Sequence, residues 1–107
     1  MIAKYWQKGE TLDYTAAADV NNGDIVDLAT RIGVAGNNIP AGSTGAVHVE
    51  GVFIMPKGTD AITLGAAVYW DAAEEQITTT EQGHTPAGYA VAPADAGAAT
   101  VLVKLLG

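Results

Sequence analysis

Two histidines, one serine, no cysteine and twelve carboxylates are the groups with which this 107-residue chain would do acid–base or nucleophilic chemistry. Their spacing decides whether they can. Ser43 sits in a Gly42-Ser43-Thr44-Gly45 turn and lacks the G-x-S-x-G setting that lifts a serine out of a strand-to-helix elbow beside its base. His48 and His84 form no HExxH or HxH pair, the spacings that put two imidazoles on one side of a zinc ion. With no cysteine, thiolate chemistry, disulfides and the commonest ligand of structural zinc are all absent. Glu74 and Glu75 are paired carboxylates of the kind a glycosidase uses, but in the expected turn between two strands they read as solvated surface. The run from Asp19 to Asp24 superficially resembles a calcium loop, but Gly23 comes one position early and Thr30 stands where the closing bidentate glutamate belongs. Gly33-Val34-Ala35-Gly36 and Gly42-Ser43-Thr44-Gly45 are followed by neither the lysine nor the helix that a phosphate-cradling loop requires, and read as β-turns. These patterns point away from an enzyme and toward no cofactor and no metal.

Charge narrows the partners. Five Lys and Arg against twelve Asp and Glu give a net charge of -7, and the cations Lys4, Lys8, Arg31, Lys57 and Lys104 are scattered, so a phosphate backbone would be repelled and direct nucleic-acid binding is disfavoured. No apolar run approaches the roughly 20 residues needed to cross a bilayer, and MIAKYWQKG has no apolar signal region, so the expectation is a protein made in the cytosol with no membrane contact.

The elements that would position any site are strands. No window of a dozen residues keeps apolar positions at i, i+3, i+4 and i+7 without interruption, whereas thirteen Gly and four Pro punctuate the chain at the spacing of short strands and turns. Residues 11–15 alternate, with Leu12 and Tyr14 on the apolar face. Asn21-Asn22-Gly23-Asp24 is a turn signal, 25–29 a strand that 31–34 continues, and 36–42 a loop. Residues 46–55 are the most strand-like, with Gly51 expected as a bulge that shifts the phase. Segments 66–70 and 76–80 are expected to pair as a hairpin across 72–75, and 89–91 and 100–106 complete the set. In the last, Val101, Val103 and Leu105 point one way and Thr100, Leu102 and Lys104 the other. The predicted fold is all-β: a small sandwich or partly open barrel of about seven to nine short, mostly antiparallel strands. Leu12, Ile25, Val47, Val49, Phe53, Val68, Val101 and Val103 are expected in a core kept thin because alanine supplies much of the 49% apolar content.

Two aromatic pairs, Tyr5-Trp6 and Tyr69-Trp70, place bulky neighbours on opposite faces of an extended segment, so one ring of each pair must find cover outside a one-sided core. With Lys4 and Lys8 these four aromatic residues are the candidate protein-interface residues. Residues 1–8 read as an N-terminal arm, and residues 9–107 as a single β domain.

Five segments in their order carry a family likeness: MIAKYWQKGETLDYTA, NNGDIVDLATRIGVA, IPAGSTGAVHVEGVFIMPK, ITLGAAVYWDAAEEQITTT and GYAVAPADAGAATVLVKLLG. Almost end to end, and above all in G-V-F-x-x-P-K and A-V-Y-W-D, the chain resembles the small phage capsid cement or head decoration proteins. Some of these bear an older label of RecA/RadA-like recombinase, which this sequence does not support, since it has no Walker loop and too few residues for a parallel sheet with crossover helices. The resemblance implies a β-rich structural protein of a phage or prophage virion. It would be made in the bacterial host cytoplasm, sit on the capsid exterior, bind the major capsid protein and associate with itself, commonly as a homotrimer. On that reading the arm of residues 1–8 could add an edge strand to a neighbouring capsid subunit. It supplies no catalytic residues. The alternative reading is a carbohydrate or small-ligand binding β-module with Tyr69 and Trp70 as its stacking platform.

Overall fold

The computed structural model describes residues 2–106, which form nine strands and no helix. A four-stranded antiparallel sheet has the order β1-β4-β3-β2, from β1 (Thr11–Thr15), β2 (Ile25–Asp27), β3 (Ile32–Ala35) and β4 (Thr44–His48). A five-stranded antiparallel sheet has the order β5-β9-β8-β6-β7, from β5 (Val52–Pro56), β6 (Ala67–Asp71), β7 (Gln76–Thr78), β8 (Thr85–Ala90) and β9 (Thr100–Leu105). The second sheet curls until Lys57, just beyond β5, meets Ile77 of β7 through one parallel bridge, without closing into a barrel. The all-β sandwich reading holds.

The pleat explains the burial. In β9, Val101, Val103 and Leu105 are buried while Thr100, Leu102 and Lys104 are exposed, the alternation expected of a strand with one dry face. Those three join Met55, Val68, Trp70 and Ile77, together with Ile32 and Val34 from the other sheet, in the main core; Val26, Ala35, Ile39 and Val47 form a second, smaller cluster. Six of the eight expected core positions lie in or against these clusters, and Val49 is buried outside them. Leu12 departs from expectation at 40% exposure: it shares a face with its partner Val47, but β1 is an edge strand and the small cluster recruits Tyr14 instead.

Two expectations about strand continuity need correction. Residues 31–34 do not extend β2 but return beside it as β3, because Ala29 takes a φ of 73° and the Asp27 carboxylate accepts its N–H at 2.8 Å, closing a hairpin. Residues 46–55 are not one bulged strand. Gly51, at φ 113°, turns the chain out of the four-stranded sheet, and its carbonyl accepts the Leu105 N–H at 3.0 Å, starting the β5–β9 ladder in the other sheet.

The hairpin of β6 and β7 across 72–75 is as expected, with Asp71 accepting the N–H groups of Ala73 and Glu74 to hold the turn. At Gly88 a Cβ would run into the Lys104 carbonyl, so β8 and β9 approach as closely as they do only because that position has no side chain.

Candidate protein-interaction surfaces

The N-terminal segment leads into β1, just before which the Glu10 carbonyl accepts the Val49 N–H at 2.9 Å, and residues 2–8 are exposed. Ile2, Lys4, Tyr5 and Trp6 are exposed, the two rings at 82% and 90%. Met1 falls outside the described residues. Lys8 pairs with Glu10 at 3.4 Å, an exposed contact of little energetic weight. Gln7 reaches only the Thr11 carbonyl, at 3.5 Å.

The second aromatic pair behaves differently. Trp70 is 8% exposed within the main core, and Tyr69 is half-buried on the same strand. β6 lies between β8 and β7, so Trp70 gets its cover from within the chain, and the stacking platform of the ligand-binding alternative has one of its two rings in the core.

The outward face of the five-stranded sheet carries a surface that residue types alone did not reveal. The register sets Ile54 beside Leu102, Val52 beside Lys104, Lys104 beside Tyr89, and Tyr89 beside Ala67. All six are exposed, four are large and apolar or aromatic, and none is acidic, in a chain with twelve carboxylates. Lys104 lies over the Tyr89 ring, its Nζ 5.9 Å from the centroid. A contiguous apolar strip of this kind is characteristic of a protein-binding surface. The alternation in β9 placed Leu102 on this face; its neighbours became visible only with the sheet order.

A cleft separates the free side of β5 from the ends of β2, β3 and β4. It has a volume of about 340 Å³ and is lined by Gly23, Ile25, Val34, His48, Phe53 and Met55, among others. A neighbouring cleft of about 320 Å³ shares Gly23, Ile25 and Pro56 and adds Asp24, Trp70 and Glu75. The His48 ring is tilted 42° against Phe53 at a centroid distance of 5.9 Å, so this histidine forms part of an apolar wall.

The groups weighed for chemistry remain apart. Ser43 lies in the turn before β4, with its N–H bonded to the Pro40 carbonyl. His84 Nε2 approaches Asp71 Oδ2 at 3.5 Å while Nδ1 lies 2.8 Å from the Thr80 carbonyl. That His–Asp contact is fixed by register: Trp70 faces Thr85, which brings the next residue of β6 against the one before β8. It ties the 79–84 loop to the β6–β7 turn. Among the described residues no three His, Asp or Glu side chains gather as a metal site would require.

A family model described as phage cement protein matches residues 6–105. No curated protein and no solved structure matches the chain.

Proposed function

The chain belongs to the phage cement proteins, and from that membership we propose that it reinforces a phage or prophage head by binding the major capsid protein on the capsid exterior, without catalysis. The observation that carries this reading is the strip of Ile54, Leu102, Val52, Tyr89 and Ala67 around Lys104 on the outward face of the five-stranded sheet, none of them acidic, which we assign to the capsid contact. An acidic protein can lie flat on another protein there without burying unpaired carboxylates, which would cost several kcal/mol each. Leu102, Tyr89 and Ile54 provide the apolar contact, with Tyr69 beside them on the sheet, and the exposed Tyr5-Trp6 segment with Lys4 and Lys8 reaches a neighbouring subunit. The protein is made in the host cytoplasm and acts as a homo-oligomer, a trimer in this reading, so that several weak contacts act together on one lattice position. It binds neither nucleic acid nor membrane.

The test is co-sedimentation of the purified protein with undecorated heads. Saturable binding at a fixed ratio to the major capsid protein is expected, abolished by the pair Tyr89→Asp and Leu102→Asp with the melting temperature held within a few degrees. Absence of wild-type binding, or full binding by the double variant, overturns the reading.

A further inference from the structure

Four strands lie at sheet edges, and three are protected against pairing with another chain. β1 carries Asp13 and is preceded by Glu10; β2 is three residues long and ends in Asp27; β7 is three residues long and meets Lys57 through its bridge. Short length and charge are the usual protections of an edge. β5 is guarded only at its end, by Pro56 and the following Lys57: its other four residues, Val-Phe-Ile-Met, are uncharged, with Ile54 at 71% exposure.

The direction of its free groups is set by two bonds. Gly51 accepts from Leu105 and Lys57 donates to Ala99, so the odd-numbered residues face β9 and the main-chain N–H and C=O groups of Val52 and Ile54 point to the open side. Pro56, next in that series, has no N–H to offer. Beside this edge lies the 340 Å³ cleft, in which Ile25, Val34, Phe53 and Met55 stand beside the polar Asn22 and His48.

We propose that β5 and its cleft receive the N-terminal segment of a second copy of this chain as an added strand. Residues 2–8 are exposed and supply Ile2, Tyr5 and Trp6 as apolar anchors. They carry two of the five cations and none of the twelve carboxylates, while Asp24 and Glu75 line the adjoining cleft. Extended, seven residues span roughly 23 Å, more than the length of β5.

The placement of the arm selects a second copy as the partner. Thr11 pairs with His48, and His48 lines the cleft, so each arm leaves the body beside its own receiving site. A closed ring of copies then uses arm and cleft together at every contact, as in exchange of an element between protomers. Backbone bonds to Val52 and Ile54 supply affinity, and the aromatic anchors set register. This contact is between copies and forms without any capsid, so it is read from mass and peptide binding in capsid-free solution, separately from the co-sedimentation that tests the capsid reading.

The experiment begins with the sedimented mass of the full chain and of a variant lacking residues 2–8, each with its melting temperature. The full chain is expected to be oligomeric and the deletion monomeric with its melting curve preserved. A synthetic peptide of residues 2–9 is then titrated into the isotope-labelled deletion variant. Amide shifts are expected at Val52, Ile54, Gly23 and Ile25, with at least tenfold weaker binding to the same variant carrying Ile54→Pro, which removes an outward N–H that the fold itself does not use. Equal masses for the two proteins, a monomeric full chain whose arm occupies its own cleft or binds only capsid, or peptide shifts confined to the Tyr89–Leu102 face would each overturn the proposal. Should Ile54→Pro unfold, the shift map on the deletion variant decides alone.

Discussion

Lys57 Nζ donates to the Ala96 carbonyl at 3.2 Å, and to that of Gly58 at 2.8 Å, from a side chain that is buried. A near-buried ammonium held by main-chain oxygens fastens the 95–98 turn to the corner where β5 ends. Hydrogen bonds to a charged group contribute about 1.5–3 kcal/mol. Lys57→Ala should therefore lower stability by about 2 kcal/mol in a denaturant titration, whereas Lys104→Ala, on the exposed face, should fall within about 0.5 kcal/mol of wild type.

Val49 and Leu12 test the strand phase in opposite senses. Val49 is buried, and a carboxylate there would have no partner, so Val49→Asp should cost several kcal/mol and leave little folded protein at 37 °C. Leu12→Asp, on an exposed edge position, should shift the denaturation midpoint only slightly.

Gly88→Ala should destabilise by more than about 1 kcal/mol, because its Cβ meets the Lys104 carbonyl and the backbone there, at φ 154°, is one that side chains rarely adopt. Gly97→Ala, where a Cβ meets open space, is the control and should melt like the parent.

The two tryptophans should separate in fluorescence. Trp6, at 90% exposure, is open to iodide, and Trp70, at 8%, is shielded. Monomeric protein at high dilution should show about half of its emission quenched freely, and Trp6→Phe should leave a single blue-shifted, poorly quenched component.

Much of this fold is written in local patterns. The alternation of β9 survives intact because both neighbours bury the same face, and A-V-Y-W-D followed by Q-I-T forms a hairpin because its turn is short and polar. What local pattern could not convey is which sheet a strand joins. Residues 46–55 keep a similar texture on both sides of Gly51, yet the pairing partner changes from β1 and β3 to β9. The same gap hid the surfaces. Tyr69 and Trp70 are adjacent in sequence; Trp70 takes the buried face of β6 with Val68, and the sheet order sets β7 and β8 on either side of that strand. That Tyr5 and Trp6 are not both covered was legible, since no phase of a strand buries both; the open edge of β5 was not.

The β5–β9 pairing has a consequence for synthesis. β9 lies between β5 and β8 in the sheet yet is the last of the nine strands to emerge from a ribosome. Until it arrives, β5 lacks its only ladder partner and β8 has one side open, so the five-stranded sheet cannot assemble from its earlier strands alone. The sheet therefore completes only once β9 has emerged, and a nascent chain stalled before Thr100 would present exposed strand edges to its neighbours.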